Sequence, residues 1–160
     1  MATLHLMVGL PGSGKTTRAK ALEREVNALR FTPDEWHLAL FGDDLTDPRH
    51  DARHSQVERL MWDMAQRALR LGVDVILDYS FWAREERDGL RREAERLGVG
   101  FQIHYMDVPL EELRRRLEAR SLRPGEFCIT REWIDQWARQ FEPPLEEESC
   151  QKYGIEEERG

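Results

Sequence analysis

Residues 9 to 16 read Gly-Leu-Pro-Gly-Ser-Gly-Lys-Thr, which satisfies the pattern G-x-x-x-x-G-K-[ST]. Residue types at this spacing do phosphate chemistry. Gly9, Gly12 and Gly14 allow backbone turns and close approaches that a Cβ forbids. The loop amides can then point inward at phosphate oxygens, aided by the positive end of a following helix. Lys15 reaches the β- and γ-phosphates, and the Thr16 hydroxyl ligates Mg²⁺. The expected nucleotide-binding positions are Gly9, Pro11, Gly12, Ser13, Gly14, Lys15, Thr16 and Thr17, and the expected cofactors are ATP or GTP with Mg²⁺.

Other residues have the chemistry to complete such a site. Asp34 follows the second apolar segment and opens a helix; its carboxylate either accepts a proton from an attacking hydroxyl or simply complements the helix dipole. Asp78 ends the apolar run Val-Ile-Leu, the usual position of a second anchor for Mg²⁺, and is the next candidate for the base. Arg87 falls on the inward stripe Ala83, Leu90, Ala94, Leu97, where a cation requires an anion: a ligand phosphate or a carboxylate such as Asp78 or Asp34. Arg114, Arg115, Arg116, Arg120 and Arg123 form a basic run leading into a Pro-Gly loop. Arg120 and Arg123, at its hinge and within it, are placed to neutralise a transferring phosphoryl group, while Arg114 and Arg115 read as surface. His37, His50 and His54 do not have zinc spacing and read as solvated or substrate-side groups. Trp36 either stacks on a flat substrate or packs at the rim.

The elements that must position these residues alternate. Leu4, Leu6 and Val8 mark a buried strand ahead of the loop, and residues 17–26 a helix with Ala19, Leu22 and Val26 on one stripe. Residues 28–32 form a short apolar segment, and Thr32-Pro33-Asp34-Glu35 predicts a capping box opening a helix to Phe41. An acidic loop over residues 42–51 precedes a helix capped by Ser55 and ended by Gly72. Strands follow at 73–77 and 101–108, with helices at 83–97, from Pro109, and at 130–141. This pattern predicts an α/β fold of the P-loop NTPase kind: a mostly parallel sheet between helix layers, gathering the loop, Asp34 and Asp78 at one edge. Residues 1–145 are assigned to this domain, and 146–160 to a glutamate-rich tail, helical or disordered.

Composition narrows the partners. The 160 residues carry a net charge of −7, which argues against a nucleic-acid-binding face. No apolar stretch is long enough to span a membrane. There is no basic leader, and Cys128 and Cys150 suit free thiols, so a cytoplasmic protein is expected.

The phosphate loop, Thr-Pro-Asp34, Val-Ile-Leu-Asp78-Tyr-Ser-Phe, Arg87, Asp107-Val-Pro-Leu-Glu-Glu-Leu, Arg116-Leu and Arg120 follow in an order that resembles the zeta-toxin-like P-loop kinases. That group includes chloramphenicol phosphotransferase, polynucleotide 5′-kinase domains and tunicamycin-resistance-like proteins. The resemblance implies phosphoryl transfer from ATP to a hydroxyl, with Asp34 as general base and Arg116 and Arg120 on the donor phosphates or closing a lid. One departure is visible: such proteins end on an apolar strand after the Pro-Pro turn, whereas residues 149–160 here are mostly polar, so the sheet is expected to lack its edge strand or to end differently.

The expected function is therefore an ATP-dependent phosphotransferase acting on a small-molecule hydroxyl, such as an antibiotic, nucleoside or sugar. Asp34, Trp36, His37, Asp78 and Arg87 are the expected acceptor-side residues. The alternatives are a polynucleotide 5′-hydroxyl kinase and a regulatory NTPase without an acceptor.

Overall fold

The computed structural model of the chain describes residues 1–155. Five strands, β1 (Thr3–Val8), β2 (Leu29–Phe31), β3 (Val75–Leu77), β4 (Gly100–Met106) and β5 (Cys150–Tyr153), form one sheet in the order β2-β3-β1-β4-β5. Every pairing is parallel, with Leu4 opposite Val75 on one side and Phe101 on the other. Each strand must therefore be followed by a crossover, and the helices α1 (Lys15–Val26), α2 (Pro33–Phe41), α3 (His50–Arg70), α4 (Arg84–Leu97), α5 (Leu110–Arg120) and α6 (Arg131–Gln140) lie in those crossovers.

Alternation along the central strand divides the core. Leu4, Leu6 and Val8 face α3 and α4, where Val57, Met61, Ala65 and Ala94 close one layer. Met7 points the other way and packs with Ala19 and Leu22 of α1. A third apolar group, Leu10, Val108, Leu113, Leu117 and Ile134, seats α5 and α6 beyond the strand ends. The result is the expected three-layer fold, with all strand C-termini at one edge.

The carboxyl-terminal segment differs from the predicted tail. Residues 146–148 form a 3₁₀ turn, and β5 pairs with β4 from Ile103–Cys150 to Met106–Tyr153. The missing edge strand is thus present, built from a polar sequence. Its backbone needs only the free groups of β4, and one deep side chain, Tyr153, suffices: its hydroxyl meets His104 Nδ1 at 2.9 Å and its ring stacks on that imidazole. The predicted tail residues 156–160 lie outside the described residues.

Two predicted caps are also replaced. Thr32 stands at the start of α2 but makes no side-chain cap, because its hydroxyl donates to Asp78 instead. The helix expected to start at Ser55 begins at His50, which shortens the acidic loop. Proline at the start of α2 stands as predicted, and Gly98 (φ 68°) ends α4. No helix among the described residues is long and apolar enough to cross a membrane.

Candidate active site

The loop between β1 and α1 is held tightly closed. A Cβ on Gly9 (φ 155°) would lie 2.6 Å from Ser13 Oγ and 3.3 Å from the Met106 carbonyl oxygen. Gly14 takes the left-handed conformation (φ 90°) from which α1 departs, a turn that only glycine makes without strain. The first turn of α1 leaves amides without intrahelical acceptors, so they are available to an anion. Ser13 Oγ is buried and has no partner among the described residues.

Behind the loop sits Asp78. Its Oδ2 accepts from Thr16 Oγ1 at 2.6 Å and from Thr32 Oγ1 at 2.9 Å, joining β3, α1 and the start of α2. Burial pushes its carboxyl pKa up, opposed by the Lys15 charge and the two hydroxyl bonds. Asp78 Oδ1 is buried without a partner among the described residues. A hydroxyl, a carboxylate oxygen and an orphaned acceptor form a hard oxygen donor set, which fits Mg²⁺. Thr16 and Asp78 are the residues that would hold it.

Two cavities meet at this edge. One, of about 620 Å³, is lined by Pro11, Gly12, Ser13, Gly14, Lys15, Thr16 and Thr17, and from above by Arg115, Arg116, Arg120 and Arg123. Arg116 Nη1 donates to the Gly12 carbonyl at 3.1 Å, tying α5 to the phosphate loop. Arg120 Nε donates to Glu126 at 2.8 Å within the following loop. That loop in turn reaches the α2–α3 connection, where the Cys128 amide donates to Asp43 Oδ2 at 3.1 Å and Phe127 packs edge-on against His37 and His50. The loop carrying Arg123 thus lies over both cavities.

The second cavity, of about 1030 Å³, lies between α3, α4 and α6. Its walls are aromatic: Trp82 and Trp137 with ring centroids 5.5 Å apart, Trp133 stacked on Trp137, and Tyr79 stacked on Phe81. Asp34 lines both cavities, with its side chain 66% exposed. His54 Nε2 lies 3.7 Å from Asp34 Oδ1 and 3.3 Å from Glu58 Oε1. Burial alone would lower the His54 pKa, but the bond to Glu58 and the charges of Asp34, Glu58 and Asp44 outweigh it and raise it.

The predicted site residues divide accordingly. Pro11 to Thr17, Asp34, Arg116, Arg120 and Arg123 come together around the smaller cavity, with Gly9 and Asp78 just behind it. Arg87 does not join them. It is 1% exposed, pairs with Glu148 at 2.9 Å and donates to the Phe81 and Trp82 carbonyls, so it is a structural cation and not a substrate contact. Its anion is neither Asp78 nor Asp34. Trp36 lines neither cavity and packs edge-on against Phe31. His37 is fully buried, sharing Asp44 with His50 and Arg53 and meeting His54 at 3.2 Å, so it is neither solvated nor a substrate ligand. His50 and His54 do line the larger cavity. Arg115, read from the sequence as surface, lines the smaller cavity. Phe81 and Trp82, which the sequence offered as open-edge aromatics for stacking or packing, line the larger one, while Tyr79, Trp133 and Trp137 were missed. The spacing of Trp133 and Trp137, one helical turn apart, was a signal for the wall.

Comparison with known proteins bears on the family and the fold. The family model described as AAA domain matches residues 4–144. A probable adenylyl-sulfate kinase of Aeropyrum pernix is 31% identical over 114 residues, covering 69% of this chain and 61% of that protein, so the chain spans about three fifths of that relative's length. The structure of the Pnkp1/Rnl/Hen1 RNA repair complex superposes with a TM-score of 0.71 at 28% identity, over 87% of this chain and 43% of the other. A sugar kinase from Janibacter sp. HTCC2649 shares the fold with a TM-score of 0.69 at 22% identity, over 98% of this chain and 86% of the other. Since the family match runs from β1 through the phosphate loop, the arginines of α5, and α6, the chain belongs to the AAA domain family and is a P-loop domain of kinase-like build.

Proposed function

We propose that this protein transfers the γ-phosphoryl group of ATP to a hydroxyl of a small molecule. The observation that carries the reading is the position of Asp34, the acidic residue shared by the phosphate-loop cavity and the aromatic cavity. A nucleotide in the first and an alcohol in the second bring donor and acceptor together beside that carboxylate. The order of motifs resembling zeta-toxin-like kinases and the kinase relatives support it. The chain's likeness to part of an RNA repair complex favours a polynucleotide acceptor as the second reading. The acidic lining of the aromatic cavity weighs against that second reading.

In this mechanism the loop amides and Lys15 hold the donor phosphates, and Arg116, Arg120 and Arg123 neutralise charge as the phosphoryl group moves. Thr16 and Asp78 would hold Mg²⁺, which would supply charge neutralisation on the phosphates. Asp34 accepts the hydroxyl proton as the new O–P bond forms. The bond from the γ-phosphorus to the bridging oxygen breaks, and ADP leaves. The Tyr79-Ser80-Phe81 turn and Phe127 shield the meeting point, since Ser80 and Phe127 line both cavities.

The test is ADP release from ATP with and without a panel of hydroxyl-bearing small molecules, with the phosphorylated product identified by ³¹P NMR and mass spectrometry. Acceptor-dependent ADP release with a stoichiometric phosphoester supports the reading. Steady ATP hydrolysis indifferent to every acceptor would assign a nucleotide switch instead.

A further inference from the structure

The aromatic cavity has a charge as well as walls. Asp34, Asp51, Glu58, Glu86 and Glu93 line it, against one guanidinium, Arg92, and the imidazoles of His50 and His54. Two nearby cations outside the lining are committed to carboxylates: Arg87 to Glu148, and Arg96 to Glu93 at 2.6 Å, so Glu93 is already paired. Glu58 meets only His54, and Glu86 has no hydrogen-bond or ion-pair partner among the described residues. Partial burial and then the charges of Glu58 and Glu142 raise the Glu86 carboxyl pKa, against the opposing charge of Arg87. The rings around these groups add to the same field. Indole and phenyl faces carry negative quadrupoles that attract cations, most strongly for tryptophan. Trp82, Trp133 and Trp137 supply such faces, and they also offer apolar area to a ligand body.

We propose that this cavity selects a cationic, partly apolar alcohol: an organic ammonium compound whose ammonium sits beside Glu58 and Glu86, whose apolar body lies on the tryptophans, and whose hydroxyl reaches Asp34. The proposal rests on the phosphotransferase reading for the fate of that hydroxyl, and it adds the class of molecule. A polynucleotide end, a sugar acid or a sulfate ester brings negative charge against the carboxylates, with Arg92 as the one guanidinium to meet it.

Three probes of one scaffold test the class. Phenylalaninol carries an ammonium and a hydroxyl, N-acetylphenylalaninol is its neutral counterpart, and 3-phenyllactate is an anionic one. Binding to the full chain is read by quenching of tryptophan fluorescence and by ligand-observed NMR, at low and high salt. The expected result is a preference of roughly tenfold for phenylalaninol over the neutral probe at low salt, shrinking as salt screens it, with phenyllactate weakest. Glu58→Gln with Glu86→Gln should abolish the preference while ATP binding, which uses the other cavity, confirms that the variant is folded. Equal binding of the three probes, a preference for phenyllactate, or a preference that survives in the folded double variant would overturn the proposal. Binding is read without turnover, so a failure here removes the cationic class and leaves the phosphotransferase reading standing. That reading fails on the product experiment above.

Discussion

The Arg87–Glu148 pair joins the last described segment of the chain to the turn that shapes the aromatic cavity, and Glu148→Ala isolates its contribution. Both side chains are essentially buried, at 1% and 2% exposure. Truncating Glu148 leaves the guanidinium with the Phe81 and Trp82 carbonyls but no counter-charge, and it strips the Leu145 amide of its 2.7 Å acceptor. Breaking one side of a buried pair costs about 3–5 kcal/mol. In a domain of this size that lowers the melting midpoint by roughly 6–20 °C. Glu147→Ala is the control, because the neighbouring Glu147 pairs with Arg84 in the open and its loss should leave the midpoint near wild type. Replacing both buried partners, Arg87→Met with Glu148→Leu, should recover part of the loss, since no lone charge remains. Thermal and urea melts of the three variants decide the matter. A Glu148→Ala midpoint no lower than that of Glu147→Ala would refute the reasoning and return residues 146–155 to the status of a peripheral tail.

Other outcomes follow from the same structure. His104 is held between His5, Tyr153 and β5; burial first, then the charges of His5 and Arg18, lower its pKa from 6.5 to about 4. The fold therefore favours the neutral ring: this contribution is complete above pH 6.5 and is lost as pH falls toward 4, by about 3 kcal/mol in all. Urea melts from pH 7.5 to 4 should show that loss, and His104→Gln should flatten it. Lys15→Ala should abolish phosphoryl transfer while the fold stays intact, measured by product formation with calorimetry as the check on folding. Thr16→Ala should raise the Mg²⁺ concentration for half-maximal turnover far more than the ATP concentration; a Mg²⁺ titration at fixed ATP reads the difference.

What could be read in the sequence was local or periodic. The strand-loop-helix at residues 3–26 shows in the alternation of Leu4, Leu6 and Val8 and in the glycine spacing, and it folds as read. The inward stripe on α4 exposed Arg87 as a buried cation, but not its anion, which lies 61 positions later in a segment that resembles a tail. β5 was illegible for a related reason. An edge strand takes its order from its neighbour's backbone, and Cys-Gln-Lys-Tyr has almost no apolar signature of its own. Thr32 had the form of a helix cap, yet a tertiary partner, Asp78, outcompeted the local amide. The aromatic cavity draws Tyr79 and Trp82 from one turn and Trp133 and Trp137 from α6; the one-turn spacing of the two tryptophans could have marked a shared face of α6, but nothing in the sequence says what that face meets.

The central claim is that Asp34 takes the proton of an acceptor hydroxyl at the meeting of two cavities. Asp34→Asn keeps the shape of the side chain and removes that capacity. Phosphoryl transfer should fall by roughly 10²–10⁴-fold. ATP affinity and melting midpoint, which rest on the phosphate loop and the core, should stay at wild-type values. Near-normal turnover in the folded variant would contradict the account and move the base to another carboxylate.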